Sequence, residues 1–151
     1  MKKLFSTILS TVLLLSLAAC GGGKEAKAFS PDDAQSLLNS GAFSETLTEI
    51  DQTTACRLYG IDETTVTGCA VYGSTGTTAE ELAIFTFENE EDTSAAAAAL
   101  GYRVEDRKDE LANYLPDEIS KLDEAVVETR GNSALLVIAA DYSPVDDYLK
   151  G

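Results

Sequence analysis

Apolar positions along this chain change their period several times, and each change marks an element. Leu4 to Leu17 form a run broken only by Ser and Thr, with no helical or strand period, preceded by Lys2 and Lys3. Past a Gly-rich stretch, Ser30-Pro31-Asp32-Asp33 opens a short helix, with Ser30 as N-cap, Pro at the first helical position and acids in the first turn. That helix is expected to reach about Asn39, bury Ala34, Leu37 and Leu38, and stop near Gly41. Phe43, Leu47 and Ile50 then recur at helical spacing but fit an extended segment equally well.

Thr53 to Tyr59 is rich in β-branched, Cys and aromatic residues, and Val66 to Tyr72 repeats that composition after the turn signal Gly60-Ile61-Asp62-Glu63. The pattern predicts two antiparallel strands. If the reversal is centred between Asp62 and Glu63, Tyr59 faces Val66 and Cys56 faces Cys69, at a Cβ spacing of roughly 5 Å that small adjustments bring to disulfide distance.

A polar loop, Ser74 to Thr78, leads to Leu82, Ile84, Phe85 and Phe87, which predict a strand over Glu81 to Glu88 although Thr78-Ala79-Glu80-Glu81 imitates a capping box. Five consecutive alanines follow Thr93 and Ser94. Leu100, Val104, Leu111 and Leu115 then recur at spacings that make one face of a long helix, begun at Asn89 to Asp92 and ended by Pro116. Its opposite face is expected to be solvated and to carry Arg103, Glu105, Arg107, Lys108, Asp109 and Glu110.

Pro116 begins a short second helix through about Leu122. Ala125–Thr129 and Ala134–Ala140 read as strands joined at Arg130-Gly131-Asn132-Ser133, and a last helix starts near Pro144. Leu135 to Ile138 is a continuous apolar run, the signature of a strand buried on both faces. The fold class is therefore α+β: one small domain, residues 29–151. An antiparallel or mixed sheet of about five strands packs against the long Ala-rich helix, with short helices at both termini.

The first apolar run is too short to span a bilayer, and Gly21-Gly22-Gly23 follows it in place of a basic stop-transfer cluster. Lys2-Lys3, the run and Ala18-Ala19 form a signal peptide over residues 1–19, and Leu17-Ala18-Ala19-Cys20 resembles the signal box of bacterial lipoproteins. The resemblance implies cleavage before Cys20, diacylglycerol on its thiol with acyl chains of the palmitate kind, and a lipidated tether over residues 20–28. Two acyl chains suffice for stable anchoring, since each buried methylene contributes about 0.8 kcal/mol.

The mature chain keeps 9 basic against 26 acidic side chains, because the two lysines of residues 1–19 are removed and no acid is. A domain so acidic is repelled by anionic headgroups and by nucleic acid, so attachment falls to the lipid alone and no nucleic-acid partner is expected. With Cys20 used, Cys56 and Cys69 are left as a pair. Outside the cell they form a natural disulfide contributing about 2 to 3 kcal/mol, the alternative being two small apolar core residues.

The chain has no His, which removes the commonest general base, transition-metal ligand and nucleophile partner. The acids Glu80, Glu81, Asp141, Asp146 and Asp147 are numerous without a motif that makes them converge. No calcium-loop pattern occurs, and Gly73-Ser74-Thr75-Gly76 lacks the Lys of a phosphate loop. No catalytic residue, metal ligand or cofactor is assigned.

Leu58-Tyr59-Gly60-Ile61-Asp62, Val71-Tyr72 and Ala79 to Phe85 resemble the DUF4358 domain of bacterial lipoproteins, as do Tyr114-Leu115-Pro116-Asp117-Glu118, Ala125-Val126-Val127, Gly131-Asn132 and Leu135 to Ile138. The similarity runs from about Ser44 to the C-terminus. Ser133-Ala134 departs from the expected aromatic and β-branched pair, and the Cys pair is not part of the pattern. The resemblance implies a small surface domain of Gram-positive type bacteria with no catalytic residues to carry over. The expected function is thus a lipid-anchored extracytoplasmic binding or interaction module, meeting a cell-envelope protein or wall partner, with Tyr72, Tyr142 and Tyr148 as candidate contact residues, at least one of which is expected to pack in the core instead. The competing expectation is a carboxylate-dependent hydrolase or cation-binding accessory protein acting on wall material.

Overall fold

A computed structural model of the chain describes residues 26–151. The expected signal peptide, the lipid site Cys20 and most of the tether lie outside the described residues. The elements are α1 (Asp33–Leu38), β1 (Thr48–Ile50), α2 (Gln52–Tyr59), β2 (Val66–Gly73), β3 (Glu81–Phe87), α3 (Glu90–Leu111), α4 (Ile119–Asp123), β4 (Val126–Arg130), β5 (Ser133–Ile138) and α5 (Ser143–Lys150). Short 3-10 turns at Glu63–Thr65 and Pro116–Glu118 lead into β2 and α4.

The continuous apolar run behaves as its composition requires. Every residue of β5 is buried, and β5 pairs antiparallel with β3 in register from Glu81↔Ile138 to Thr86↔Ser133. These two strands are the centre of a five-stranded, wholly antiparallel sheet in the order β1-β2-β3-β5-β4.

Their side chains alternate between two layers. Ala83, Phe85, Leu136 and Ile138 face Ala96, Leu100, Val104 and Leu111 of α3 together with Ala55 and Tyr59 of α2. Leu82, Ile84, Leu135 and Val137 face the other way, onto Ala34 and Leu37 of α1, Val145 of α5 and Phe29. The expected α+β sandwich with a long helix and short terminal helices is present, and the terminal helices are what cover the second face.

One expected strand is a helix. Thr53 to Tyr59 lies in α2, whose Asp51 N-cap accepts from the Thr54 N–H at 3.0 Å and the Thr54 hydroxyl at 2.7 Å. It ends at Gly60 with φ +67°, a left-handed cap that only Gly adopts without strain. The β-branched residues favoured a strand, but caps at both ends outweigh a propensity worth tenths of a kcal/mol per residue. The fifth strand is instead β1, from the ambiguous Phe43–Ile50 segment, paired on the sheet edge from Thr48↔Gly73 to Ile50↔Val71.

The facing expected of the two cysteines changes with it. With Cys56 on α2 and Cys69 on β2, the strand-to-strand route to a disulfide is absent, and both residues carry free thiols. At the start of α1 the expected cap is reversed: the Asp33 carboxylate accepts from the Ser30 N–H at 2.7 Å and the Ser30 hydroxyl at 3.0 Å.

The register also gives the sheet two distinct ends. Phe29, where the chain enters, donates its N–H to the Ser133 hydroxyl at 2.8 Å and lies under the Arg130 guanidinium, 4.7 Å from its carbon, at the β4–β5 hairpin. The opposite end is formed by the loop between β2 and β3, by α4 and by the segment from Ala139 into α5.

Two substitutions test the local reasoning. An added Cβ at Gly101 of α3 meets nothing within 4 Å, so Gly101→Ala is expected to stabilise by about 1 kcal/mol. Asp51→Ala is expected to destabilise by about 1 kcal/mol through loss of the cap. Urea unfolding measures both, and a destabilised Gly101→Ala would contradict the packing described for α3.

Candidate functional site

Two buried carboxylates sit side by side at the sheet end far from Phe29. Glu80 and Glu81 are 1% and 4% exposed, and successive positions on an extended chain point to opposite layers. Each therefore has its own cation.

Glu81 faces α3. Arg103 donates from Nε to Oε1 at 3.2 Å and from Nη2 to Oε2 at 3.0 Å, a bidentate pair, and the Tyr59 hydroxyl donates to Oε1 at 2.6 Å. The guanidinium carbon lies 5.9 Å from the Tyr59 ring centroid, and that ring packs edge-on against Phe85 with centroids 5.5 Å apart. One carboxylate thus joins β3, α3 and α2. Arg103, expected on the solvated face of the long helix, is turned inward. Burial pushes the Tyr59 phenol well above its ordinary value, and the neighbouring Glu81 charge adds to the rise. For Arg103, burial opposes the charge, and the Glu81 hydrogen bonds and charge more than offset it.

Glu80 faces the other way, its side chain wholly buried. It accepts from the Ser44 N–H at 2.9 Å, from the Ser44 hydroxyl, and from Lys121 Nζ at 2.8 Å. Lys121 also reaches Glu118 at 2.9 Å, and Glu118 accepts from the Ala79 N–H at 2.8 Å. Burial raises the Glu118 pKa, but the Lys121 hydrogen bond and the Ala79 N–H outweigh it and hold the carboxyl below its ordinary 4.5.

Glu45 completes this end by pinning the β2–β3 loop. It accepts from the hydroxyls of Ser74 at 2.6 Å, Thr77 at 3.0 Å and Thr78 at 2.5 Å, and these bonds, Ser74 foremost, lower its pKa. Sequence reasoning missed Ser44, Glu45, Glu118 and Lys121. The signal available was a lone Lys three residues after Glu118 in a short helix.

Beside Lys121 a cleft of about 340 Å³ opens between α4 and the start of α5, bordered by Ser120, Glu124, Asp141, Tyr142 and Asp146. The Tyr142 hydroxyl accepts from the Ala139 N–H at 3.1 Å and donates to the Lys121 carbonyl at 2.8 Å, tying the cleft's two sides together. Burial pushes its phenol up to about 12. Of the acids singled out in the sequence, Asp141 and Asp146 border this cleft, Asp147 is exposed elsewhere on α5, and Glu80 and Glu81 are buried in separate layers. Only Asp141 and Asp146 share a cavity.

The expected contact tyrosines do not form a surface. Tyr72, Tyr142 and Tyr148 are half-buried against the α1 and α5 layer, and Tyr148 stacks on Phe29 at 6.5 Å. The open ones are Tyr102 and Tyr114, 73% and 75% exposed. Among the described residues no group of three or more Cys, Asp or Glu is placed to hold a metal ion, and no helix is long and apolar enough to cross a membrane.

Residues 39–139 match the family model described as "Domain of unknown function (DUF4358)". The match begins slightly before the expected Ser44 and stops at the end of β5, leaving α5 outside it. No curated protein and no solved structure matches the chain.

Two predictions follow from the ion pairs. Arg103→Met alone leaves Glu81 charged and buried and is expected to cost about 3 to 5 kcal/mol. The triple variant Glu81→Leu, Arg103→Met, Tyr59→Phe should recover most of that loss in urea unfolding, because no buried polar group is then orphaned. Glu45 and Glu118 have folded pKa values below the ordinary 4.5, so their stabilising contribution is present above that pH and is lost as the pH falls through the lowered values. Tyr59 and Tyr142 behave oppositely: their contribution is full below the ordinary 10.0 and is lost as the pH rises through the raised folded values. Unfolding free energy measured against pH should therefore fall off on both sides of a neutral plateau.

Proposed function

The chain belongs to the DUF4358 family, whose description attaches no activity, and from its own residues we propose a lipid-anchored binding or interaction module on the extracytoplasmic face of the bacterial membrane. The observation that carries the proposal is the polarity of the domain. Residues 26–29 enter the domain at the β4–β5 hairpin, and the polar loop, the Lys121 cluster and the cleft lie at the other end of the sheet. A chain lipidated at Cys20 then presents that end away from the bilayer, about 20 Å further out, the length of the central strands.

The buried acids Glu80 and Glu81 lend hydrolysis no support. A carboxylate that protonates or attacks a substrate needs a free oxygen at the cleft. Both oxygens of Glu80 and of Glu81 are occupied within the fold, and the two side chains lie in opposite layers. The cleft acids Asp141 and Asp146 belong to a surface that meets a cell-envelope protein or wall partner.

Mass spectrometry of protein extracted from its own membranes is expected to find Cys20 as the N-terminus carrying diacylglycerol, and Cys20→Ala is expected to leave the membrane fraction. A bare sulfur, or residues 1–19 still attached, overturns the anchoring. A photo-crosslinking residue at Ser120, beside the cleft, should capture an envelope component in intact cells while the same probe at Glu91, near the tether end, does not. Equal capture at both positions would remove the proposed orientation. Incubation with wall glycans is expected to give no turnover and calorimetry with calcium no heat. Either signal would favour the hydrolase or cation-binding reading.

A further inference from the structure

Two nucleophiles remain unused by this reading. Cys56 is 3% exposed on the buried side of α2, beside Ala55 and Tyr59. Cys69 is half-buried on β2 and packs into the same layer, opposite Phe85 of β3. Gln52 brings its Oε1 to 3.9 Å from Cys69 Sγ, and Cys56 stands one helical turn after Gln52 on the same face. The helix therefore turns the face that carries Gln52 and Cys56 toward the layer in which Cys69 of β2 packs.

We propose that Cys56 and Cys69 are a dithiol that a small-molecule or protein disulfide oxidises to a bond tying α2 to β2. The free thiols of the structure are its reduced form. The Cys69 thiolate, the less buried, attacks one sulfur of the oxidant; that S–S bond breaks and one oxidant thiolate leaves. The Cys56 thiolate then attacks Cys69 Sγ in the mixed disulfide and expels the second. Two protein thiols lose their protons to the two departing thiolates and are oxidised, and one oxidant disulfide is reduced to two thiols. The site stands on the packing of α2 against β2 and does not depend on membrane attachment.

The surroundings make the reaction slow at neutral pH. Burial, then the charges of Cys56, Asp51, Glu49 and Glu63, push the Cys69 thiol up to about 11, and burial with Glu63 and Asp62 raises Cys56. The thiolate fraction, and with it the rate, should climb roughly tenfold per pH unit over the neutral to mildly alkaline range.

The test uses the full chain and oxidised glutathione. Trypsin cuts after Arg57, between the two cysteines, so closure holds peptides 28–57 and 58–103 together until a reductant is added. The expected result is that linked pair, with the whole protein lighter by two hydrogens, at a rate rising with pH. Cys69→Ser should give no linked pair. A glutathionyl adduct on Cys69 that never resolves would overturn the proposal, because it places Cys56 out of reach. Linkage that appears only in urea would overturn it too, since the folded packing would then not be what joins them.

Discussion

The constraint on which the structure depends is that its two central strands have no face toward water. β3 and β5 are buried from Leu82 to Phe85 and from Ser133 to Ile138, so both sides of the sheet must be covered by something apolar. The 22-residue helix α3, with α2, covers one side. The other is left to the short helices α1 and α5, which brings both ends of the domain together around Phe29 and Tyr148. Neither short helix is stable alone, and each exists because the sheet offers it an apolar face.

The same constraint governs the charges. A strand buried on both sides that begins with Glu80-Glu81 places two carboxylates where water cannot solvate them, and each then needs a cation of its own. Arg103 from one layer and Lys121 from the other meet that need. The Tyr59 hydroxyl and the Ser44 N–H and hydroxyl fill further acceptor sites. Such pairs add little net stability compared with apolar residues of the same volume, but they penalise any register that separates them. A one-residue slip of β3 in one direction would bring Glu81 to Ser44 and Lys121 and leave Arg103 without a partner, and in the other would push Glu81 into the apolar position of Leu82.

This explains how a strongly acidic chain folds and why its chemistry concentrates at one end. The faces are closed by helices, and residues 26–29 enter at the β4–β5 end. The buried carboxylates and their cations gather where β2 passes into β3, beside α3 and α4. Glu45, holding three hydroxyls of the β2–β3 loop, orders a segment that would otherwise be a mobile Gly-containing turn.

The pattern of apolar positions was sufficient for the central strands, the long helix and the last helix, because each is long or regular enough for burial to dominate its period. It misassigned Thr53 to Tyr59: seven residues are too few for periodicity to outvote composition, and the deciding groups, Asp51 and Gly60, lie just outside the segment. It placed Arg103 in solvent because helical spacing gives a side chain's direction and not the length of its reach to a partner 22 positions away. Only the tertiary structure decided which acids are neutralised, which tyrosines are packed, and that Cys56 lies on a helix while Cys69 lies on a strand of the same layer. Those outcomes depend on contacts between elements far apart along the chain, and no local stretch of residues contains them.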